Sequence, residues 1–430
     1  MINLPQKFIE NMKKQLPENE WEAFFGAYAN KPFKGVRINA LKGGRYALNG
    51  ILGEQVPWEK NGFYTPLDKL GKSPFHFAGL FYSQEPSAMS AAPLLDAQPS
   101  ERVLDLCSAP GGKGTQLACV MDGKGVILLN EPVLSRAKIL SGNVERMGIT
   151  NAVVVSETPE KLAEKFPAYF DKILVDAPCS GEGMFRKNTE EALAEWSEEN
   201  VALCSARQKR ILTEAVKMLK TGGRLVYSTC TFAPQEDEEQ SAWLVKEYPQ
   251  MRLISQEKLY PHKMKGEGHF VALFEKVGEA QTARVKAMKP FISKESERAF
   301  LAFEREFFKT PRRRNLHEAG GVLYDLPENV FDWKGLSVLR VGLRLGEVKN
   351  GRFEPSHSLA LASKKEDVKN VVDLPETDVR VEKYLRGETI EATQAPNGWC
   401  AVCVAGFPIG LGKAVNGVVK NHIPKGLRIQ

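Results

Sequence analysis

Chemistry enters this sequence through two thiols. Cys179 lies in Asp176-Ala177-Pro178-Cys179-Ser180-Gly181-Glu182-Gly183 and Cys230 in Tyr227-Ser228-Thr229-Cys230-Thr231, each just after a short β-rich run. The thiolate is the form of cysteine that attacks an electrophile or binds a metal, so such a pair suits covalent catalysis or ligation. Ligation needs two further ligands at suitable spacing; the six histidines are scattered and read as lying outside this core, and no metal is expected. Cys107, Cys119 and Cys204 read singly as small core hydrophobes, and Cys400 and Cys403 as buried strand residues in preference to a redox or metal half-site.

A third motif, Asp105-Leu106-Cys107-Ser108-Ala109-Pro110-Gly111-Gly112-Lys113, stands where a β-rich run gives way to a helix. Glycines there let backbone N–H groups approach a ligand closely, and the helix start offers the positive end of its dipole to a carboxylate or phosphate. Alone, such a turn is equally compatible with a structural role. The next β-rich run ends in Asn130-Glu131, and an acid at that place can hydrogen-bond both hydroxyls of a ribose. An adenosine-containing cofactor is therefore the leading reading. Gly-x-Gly-x-x-Gly is absent, which disfavours a nicotinamide enzyme.

The elements that must position these residues alternate along the chain. β-rich runs at 102–107, 125–130, 152–156, 172–176, 224–228 and 270–274 are separated by helical patterns, clearest at 133–147, where Leu134, Ala137, Leu140, Val144 and Met147 recur at helical steps. A second helix is predicted from about 195 to 220, stopped by Thr221-Gly222-Gly223. Alternation of this kind predicts an α/β fold, a parallel doubly wound sheet with ligands outside the carboxyl ends of its strands. Upstream, 4–28 reads as two short helices broken at Pro17, 35–40 as a strand and 57–83 as mainly loop. Downstream, 277–290 reads as a linker, 291–365 as a helix-bearing stretch and 370–430 as a small β-rich module with a strand at 400–404. The resulting boundaries are 1–98, 99–280, 281–369 and 370–430.

At 430 residues the chain has room for two to four domains with cores of their own. Hydrophobic residues at 43% and charged residues at 26% exclude disordered, collagen-like and membrane classes. No run of about 18 apolar residues occurs, and the first residues lack a secretory pattern, so a cytoplasmic location is expected. Seven scattered cysteines make a disulfide framework improbable. Residues 281–430 hold 25 Lys and Arg against 18 Asp and Glu, whereas the first 280 hold 34 against 35. A basic module beside a neutral one suits a polyanion partner, and a solvated basic surface suits it as well. For the cluster Arg312-Arg313-Arg314, phosphate contact and a solvated loop stand equal.

The glycine turn, the segment 176–187 and the segment 227–238 together resemble the Sun-type RNA cytosine-5 methyltransferases, with the RsmF branch most similar. Tyr82-Ser83-Gln84-Glu85-Pro86-Ser87-Ala88-Met89 resembles that family's segment ahead of the cofactor turn. The resemblance implies a Rossmann-like S-adenosylmethionine-dependent core, a small N-terminal α+β domain that binds RNA, and a C-terminal extension ending in a PUA-like RNA-binding module. It implies that S-adenosylmethionine binds along Cys107, Ser108, Ala109, Pro110, Gly111, Gly112 and Lys113, with Glu131 on the ribose and Asp176 near the methionine end or the target base. Arg136 and Asn143 match the family's helix after the acidic strand end. The family usually has an Asp after the third strand for the adenine amine; this chain has Ser156-Glu157-Thr158-Pro159, which passes that contact to Glu157 or Thr158, or loses it.

By the same resemblance Cys230 attacks C6 of cytosine, Asp176 supports the base as charge develops, and Cys179 assists release. The expected partner is RNA, above all small-subunit ribosomal RNA; no membrane and no obligate protein partner are indicated. Transfer RNA as substrate, a methyltransferase acting instead on protein or on DNA cytosine, the latter attacking with Cys179, and a non-catalytic RNA-binding or ribosome-assembly factor are the competing readings. The Thr229-Cys230 pair argues against the DNA enzyme, and the intact turn with both thiols argues against the assembly factor.

Overall fold

Runs of Val, Ile and Leu build the central sheet. β1 (Arg102–Asp105), β2 (Val126–Asn130), β3 (Ala152–Val155), β4 (Phe170–Asp176) and β5 (Leu219–Thr229) are mutually parallel, and β2 and β3 are buried throughout. Continuous apolar strands of this kind need cover on both faces. Helix α1 (Gly112–Val120) and helix α2 (Leu134–Arg146) pack Leu117, Leu140 and Val144 on the face that carries Val103, Ile127 and Leu129. Helix α3 (Glu198–Met218) packs Ile211, Leu212 and Ala215 on the opposite face, with Leu104, Leu128 and Val175. Alternate residues of each strand thus enter different cores, each fully buried aliphatic contributing roughly 1.5–3 kcal/mol.

The all-parallel arrangement predicted from the sequence stops at β5. β6 (Met251–Leu259) and β7 (His269–Lys276) form an antiparallel pair on that edge, and β8 (Val338–Val341) pairs antiparallel with β3 on the other. The order is β8-β3-β2-β1-β4-β5-β7-β6, a mixed sheet of eight strands. The order in which the chain lays down its parallel strands reverses beside β1, and the crevice at the carboxyl ends of β1, β4 and β2 opens there. The register sets Asp105 beside Leu129 and Leu174, and Asp176 beside Ser228. The Thr221–Gly223 stop is displaced: α3 ends at Met218, and Leu219 already pairs with Phe170, so the glycines turn within β5.

The structure, a computed structural model, describes residues 2–187, 189–280, 285–311 and 314–429. N-terminal helices at Gln6–Gln15 and Trp21–Ala27 bring Phe8 and Phe24 onto the loops after β4 and β5, with ring centroids 5.0 Å from Phe185 and 5.8 Å from Phe232. The stretch 57–83 holds slightly more loop than element, as expected, yet it carries two strands. Strands Gly62–Tyr64 and Phe81–Ser83 flank Gly35–Ile38 in an antiparallel sheet, too short for period-two alternation to show in sequence. That sheet shares a core with the five-stranded C-terminal sheet, where Val36, Phe63 and Phe81 meet Tyr384, Val402 and Ile409. Between core and C-terminal module, the helix Lys294–Phe307 packs on a four-stranded sheet.

Cys400 and Cys403 are buried on the strand Gly398–Val404 and enter different cores, so they form no half-site. Arg312 and Arg313 lie outside the described residues. Arg314 is no solvated loop residue: its side chain is largely buried, its guanidinium 3.1 Å from both Glu304 and Asp325 and near the rings of Phe300 and Phe308.

Candidate active site

The glycine turn is held from below and from both sides. Ser108 N donates to Asn130 O at 2.8 Å, and Asn130 Nδ2 donates to Leu106 O and Glu157 O at 3.1 Å each. Gly111 sits at φ +112°, and a Cβ on Gly114 would lie 2.4 Å from Ser108 Oγ and 2.9 Å from Asp105 Oδ2, so both positions need glycine. Arg37, fully buried on the N-terminal sheet, donates to Gly112 O at 2.6 Å, to Thr115 Oγ1 at 2.7 Å and to Gln84 Oε1. The turn is thereby clamped between two modules.

Glu131, Arg136 and Asn143 meet at one wall. The buried Glu131 carboxylate accepts from Val133 N at 3.0 Å and pairs with Arg136 Nη1 at 3.3 Å. Arg136 Nη2 donates to Ala109 O at 3.1 Å and Asn143 Nδ2 to Pro110 O at 2.9 Å, tying α2 to the turn. Of the residues after β3, Thr158 lines the cavity while Glu157 turns away to Lys161 at 2.8 Å and to Ser337 N at 2.5 Å. The cavity holds about 530 Å³ and runs from Cys107, Ala109, Glu131 and Arg136 past Asp176 to Cys179 and Cys230. Asp105 lies fully buried beneath the turn, its carboxyl pushed up to about 7 by burial against the lowering contacts of Ser108 and the Cys107 backbone. An acid for ribose hydroxyls, a second acid, Asp176, at the far end and an apolar wall together fit an adenosine sulfonium.

At the far end the two thiols meet. Cys179 Sγ and Cys230 Sγ are 3.2 Å apart, and Cys230 N donates to Cys179 Sγ at 3.3 Å. The contact with Cys230 and burial together push the Cys179 thiol well up. Asp176 accepts from Ser228 Oγ at 2.8 Å and lies 2.7 Å from Lys113 Nζ. Burial alone would raise its pKa; Lys113, with Ser228, outweighs that and keeps Asp176 ionised below the usual carboxylate range. His269 is within this core, contrary to the sequence reading. Its Nε2 is 3.8 Å from Asp176, and burial holds it down to about 3, a neutral imidazole.

Similarity to known proteins covers nearly the whole chain. Family models match "16S rRNA methyltransferase RsmB/F" at residues 92–275, the N-terminal domain of RsmF at 4–86, its first C-terminal domain at 302–362 and its PUA domain at 369–429. Ribosomal RNA small subunit methyltransferase F of Shewanella piezotolerans is 30% identical, over 99% of this chain and 98% of that protein. The protein of the same name from Vibrio vulnificus is 32% identical, over 99% and 98%. The chain belongs to the RsmF family. Its core also superposes on the crystal structure of a methyltransferase homolog from Pyrococcus horikoshii, with TM-score 0.56 and 28% identity, over 64% of this chain and 96% of that one. S-adenosylmethionine is the methyl donor of this class.

In this RsmF-type core the structure brings Cys107, Ala109, Glu131, Arg136, Asp176, Cys179 and Cys230 to one cavity. Sequence reading missed Arg37, Gln208 and Glu236. Gln208 donates to Pro178 O at 3.0 Å and to Glu236 Oε2 at 2.8 Å, and Glu236 accepts from Ser180 N at 3.0 Å, fixing the Cys179 loop against α3. Burial raises Glu236 to about 7. Arg207 and Arg210 at the cavity mouth were missed as well. Helical spacing placed all but Arg37 and Glu236 on α3, yet only the fold shows which face meets the thiols.

Proposed function

We propose that this chain transfers a methyl group from S-adenosylmethionine to C5 of cytosine in small-subunit ribosomal RNA. The observation that supports it most is the pair of sulfurs 3.2 Å apart at the ends of β4 and β5, in the cavity that also holds the glycine turn and Asp176. The bound cofactor supplies an electrophilic methyl group on a sulfonium. C5 of cytosine is a weak nucleophile until the ring's aromaticity is broken. Cys230 thiolate adds to C6, the C5=C6 π pair moves to C5, and C5 becomes enamine-like. Asp176, ionised, accepts from the exocyclic amine or protonated N3 as charge develops on the base.

After transfer, C5 carries both the methyl group and its original hydrogen. Loss of that proton to a base, with cleavage of the C6–S bond, restores the double bond and frees Cys230. Cys179, the side chain held against the Cys230 sulfur, assists this release. Glu131 holds the ribose, and the 107–113 turn with Asp105 holds the methionine end. The target base must leave its stack to enter the cavity, which favours loops or flipped nucleotides.

Bisulfite sequencing of ribosomal and transfer RNA tests this, in cells lacking the gene and in cells carrying Cys230→Ala. Loss of the same small-subunit cytosines in both is expected. Loss confined to transfer RNA would keep the chemistry and replace the substrate, and no loss in either would overturn the proposal.

A further inference from the structure

One wall of the cavity is used neither by the cofactor turn nor by the thiols. Arg207 and Arg210 of α3 line its mouth, both exposed, and neither forms an ion pair or hydrogen bond among the described residues. The other cations around the cavity are committed: Arg136 to Glu131, Lys113 to Asp176 and Lys161 to Glu157. Three residues apart, Arg207 and Arg210 share one helix face, and Leu203, four residues before Arg207, continues that face 65% exposed.

This face is held at a fixed offset from the thiols. Gln208, between the two arginines, is fully buried and bonded to Pro178 O, one residue before Cys179. Ser205 Oγ donates to Gln235 O at 2.9 Å and accepts from Gln240 Nε2 at 2.7 Å, pinning the same turn of α3 to the segment after β5. Two unpaired guanidinium groups on a pinned helix, opening on a cavity that ends at a nucleophile, form an anion-binding rim.

We propose that Arg207 and Arg210 bind backbone phosphates of the RNA strand beside the target nucleotide, with Leu203 meeting the adjoining sugar or base. This deepens the cytosine-methylation reading and rests on it for the identity of the strand. The planar guanidinium fork matches phosphate oxygens in pairs, and two such contacts anchor the strand while the base is unstacked. They position substrate and take no part in bond making.

The test uses the full chain and a transcript of unmodified small-subunit ribosomal RNA, with Arg207→Glu, Arg210→Glu, the corresponding Gln variants and the doubles. For the double variants the RNA KM rises roughly tenfold or more near physiological salt, while kcat is recovered at saturating RNA. The slope of log affinity against log salt flattens by about 1.4, since each lost single-strand phosphate contact removes about 0.7. Calorimetric affinity for S-adenosylmethionine and the melting temperature stay at wild-type values. Unchanged KM and salt slope would overturn the proposal, and so would a loss of S-adenosylmethionine affinity, which would assign the arginines to the cofactor site. Fluorescence anisotropy of the same transcript reads the arginines without turnover, so a wild-type chain that transfers no methyl defeats the chemical reading and leaves this one to be judged by binding.

Discussion

Cys179 and Cys230 are 51 residues apart in sequence and 3.2 Å apart at sulfur. Under the proposed division of labour the two substitutions fail differently. Cys179→Ala should trap the RNA as a covalent adduct, seen as a band shift that survives denaturant; normal turnover without the adduct would make Cys179 structural. Asp105 carries a second residue-scale prediction. Burial raises its folded-state pKa to about 7 from an ordinary value of 3.8, so between those values the folded chain binds the proton that the unfolded chain has lost. Stability from this group therefore falls as pH rises from about 4 to 7, by an upper figure of about 4 kcal/mol. Asp105→Asn should melt higher than wild type at pH 8 and alike at pH 4, and should bind S-adenosylmethionine more weakly. The thiols, the turn and Glu131 were legible because each sits in a local motif. Arg37, Glu236 and His269 were not, because what gives them meaning is a partner far away in the chain, such as Gly112 for Arg37.

At the scale of elements, the alternating pattern gave the five parallel strands within a few residues, because continuous Val, Ile and Leu runs have no other stable place than a doubly covered sheet. β6 escaped notice, since Arg252 and residues 254–257 are exposed on an edge strand and show no clean alternation. Two of the three short strands of the N-terminal sheet, Gly62–Tyr64 and Phe81–Ser83, escaped for want of length. The third, expected at 35–40, supports the cofactor turn through Arg37, whose three donated bonds no other side chain reproduces. Arg37→Met should cost about 2–4 kcal/mol of stability by leaving buried carbonyl and hydroxyl groups unpaired. It should also weaken S-adenosylmethionine binding, measured by calorimetry on protein that remains folded. Arg37→Lys should restore little of either. Unchanged cofactor affinity in Arg37→Met would separate the N-terminal sheet from the turn.

Across the whole molecule, buried polar contacts join parts that sequence reading treated as separate. Arg186, after β4, forms a two-pronged pair with Glu267 at 2.8 Å and donates to Ala27 O of the N-terminal helices at 2.9 Å. Glu267→Gln should destabilise the chain by about 3–5 kcal/mol, since it leaves the buried guanidinium without its counter-charge. Chemical denaturation measures this, and a change under 1 kcal/mol would show that water reaches Arg186. β8 covers the edge of β3 from the other end of the chain. A chain cut after Lys276 should expose that edge and associate with rising concentration in light scattering. The most distant consequence concerns inheritance. Glu157, at the place where the family usually keeps an acid for the adenine amine, gives its carboxylate to Ser337 N of the C-terminal part. The donor there is a backbone amide, which any residue but proline supplies, so a recombinant that takes its C-terminal half from a relative keeps the contact wherever that backbone follows the same path, and Lys161 holds the acid from within the core.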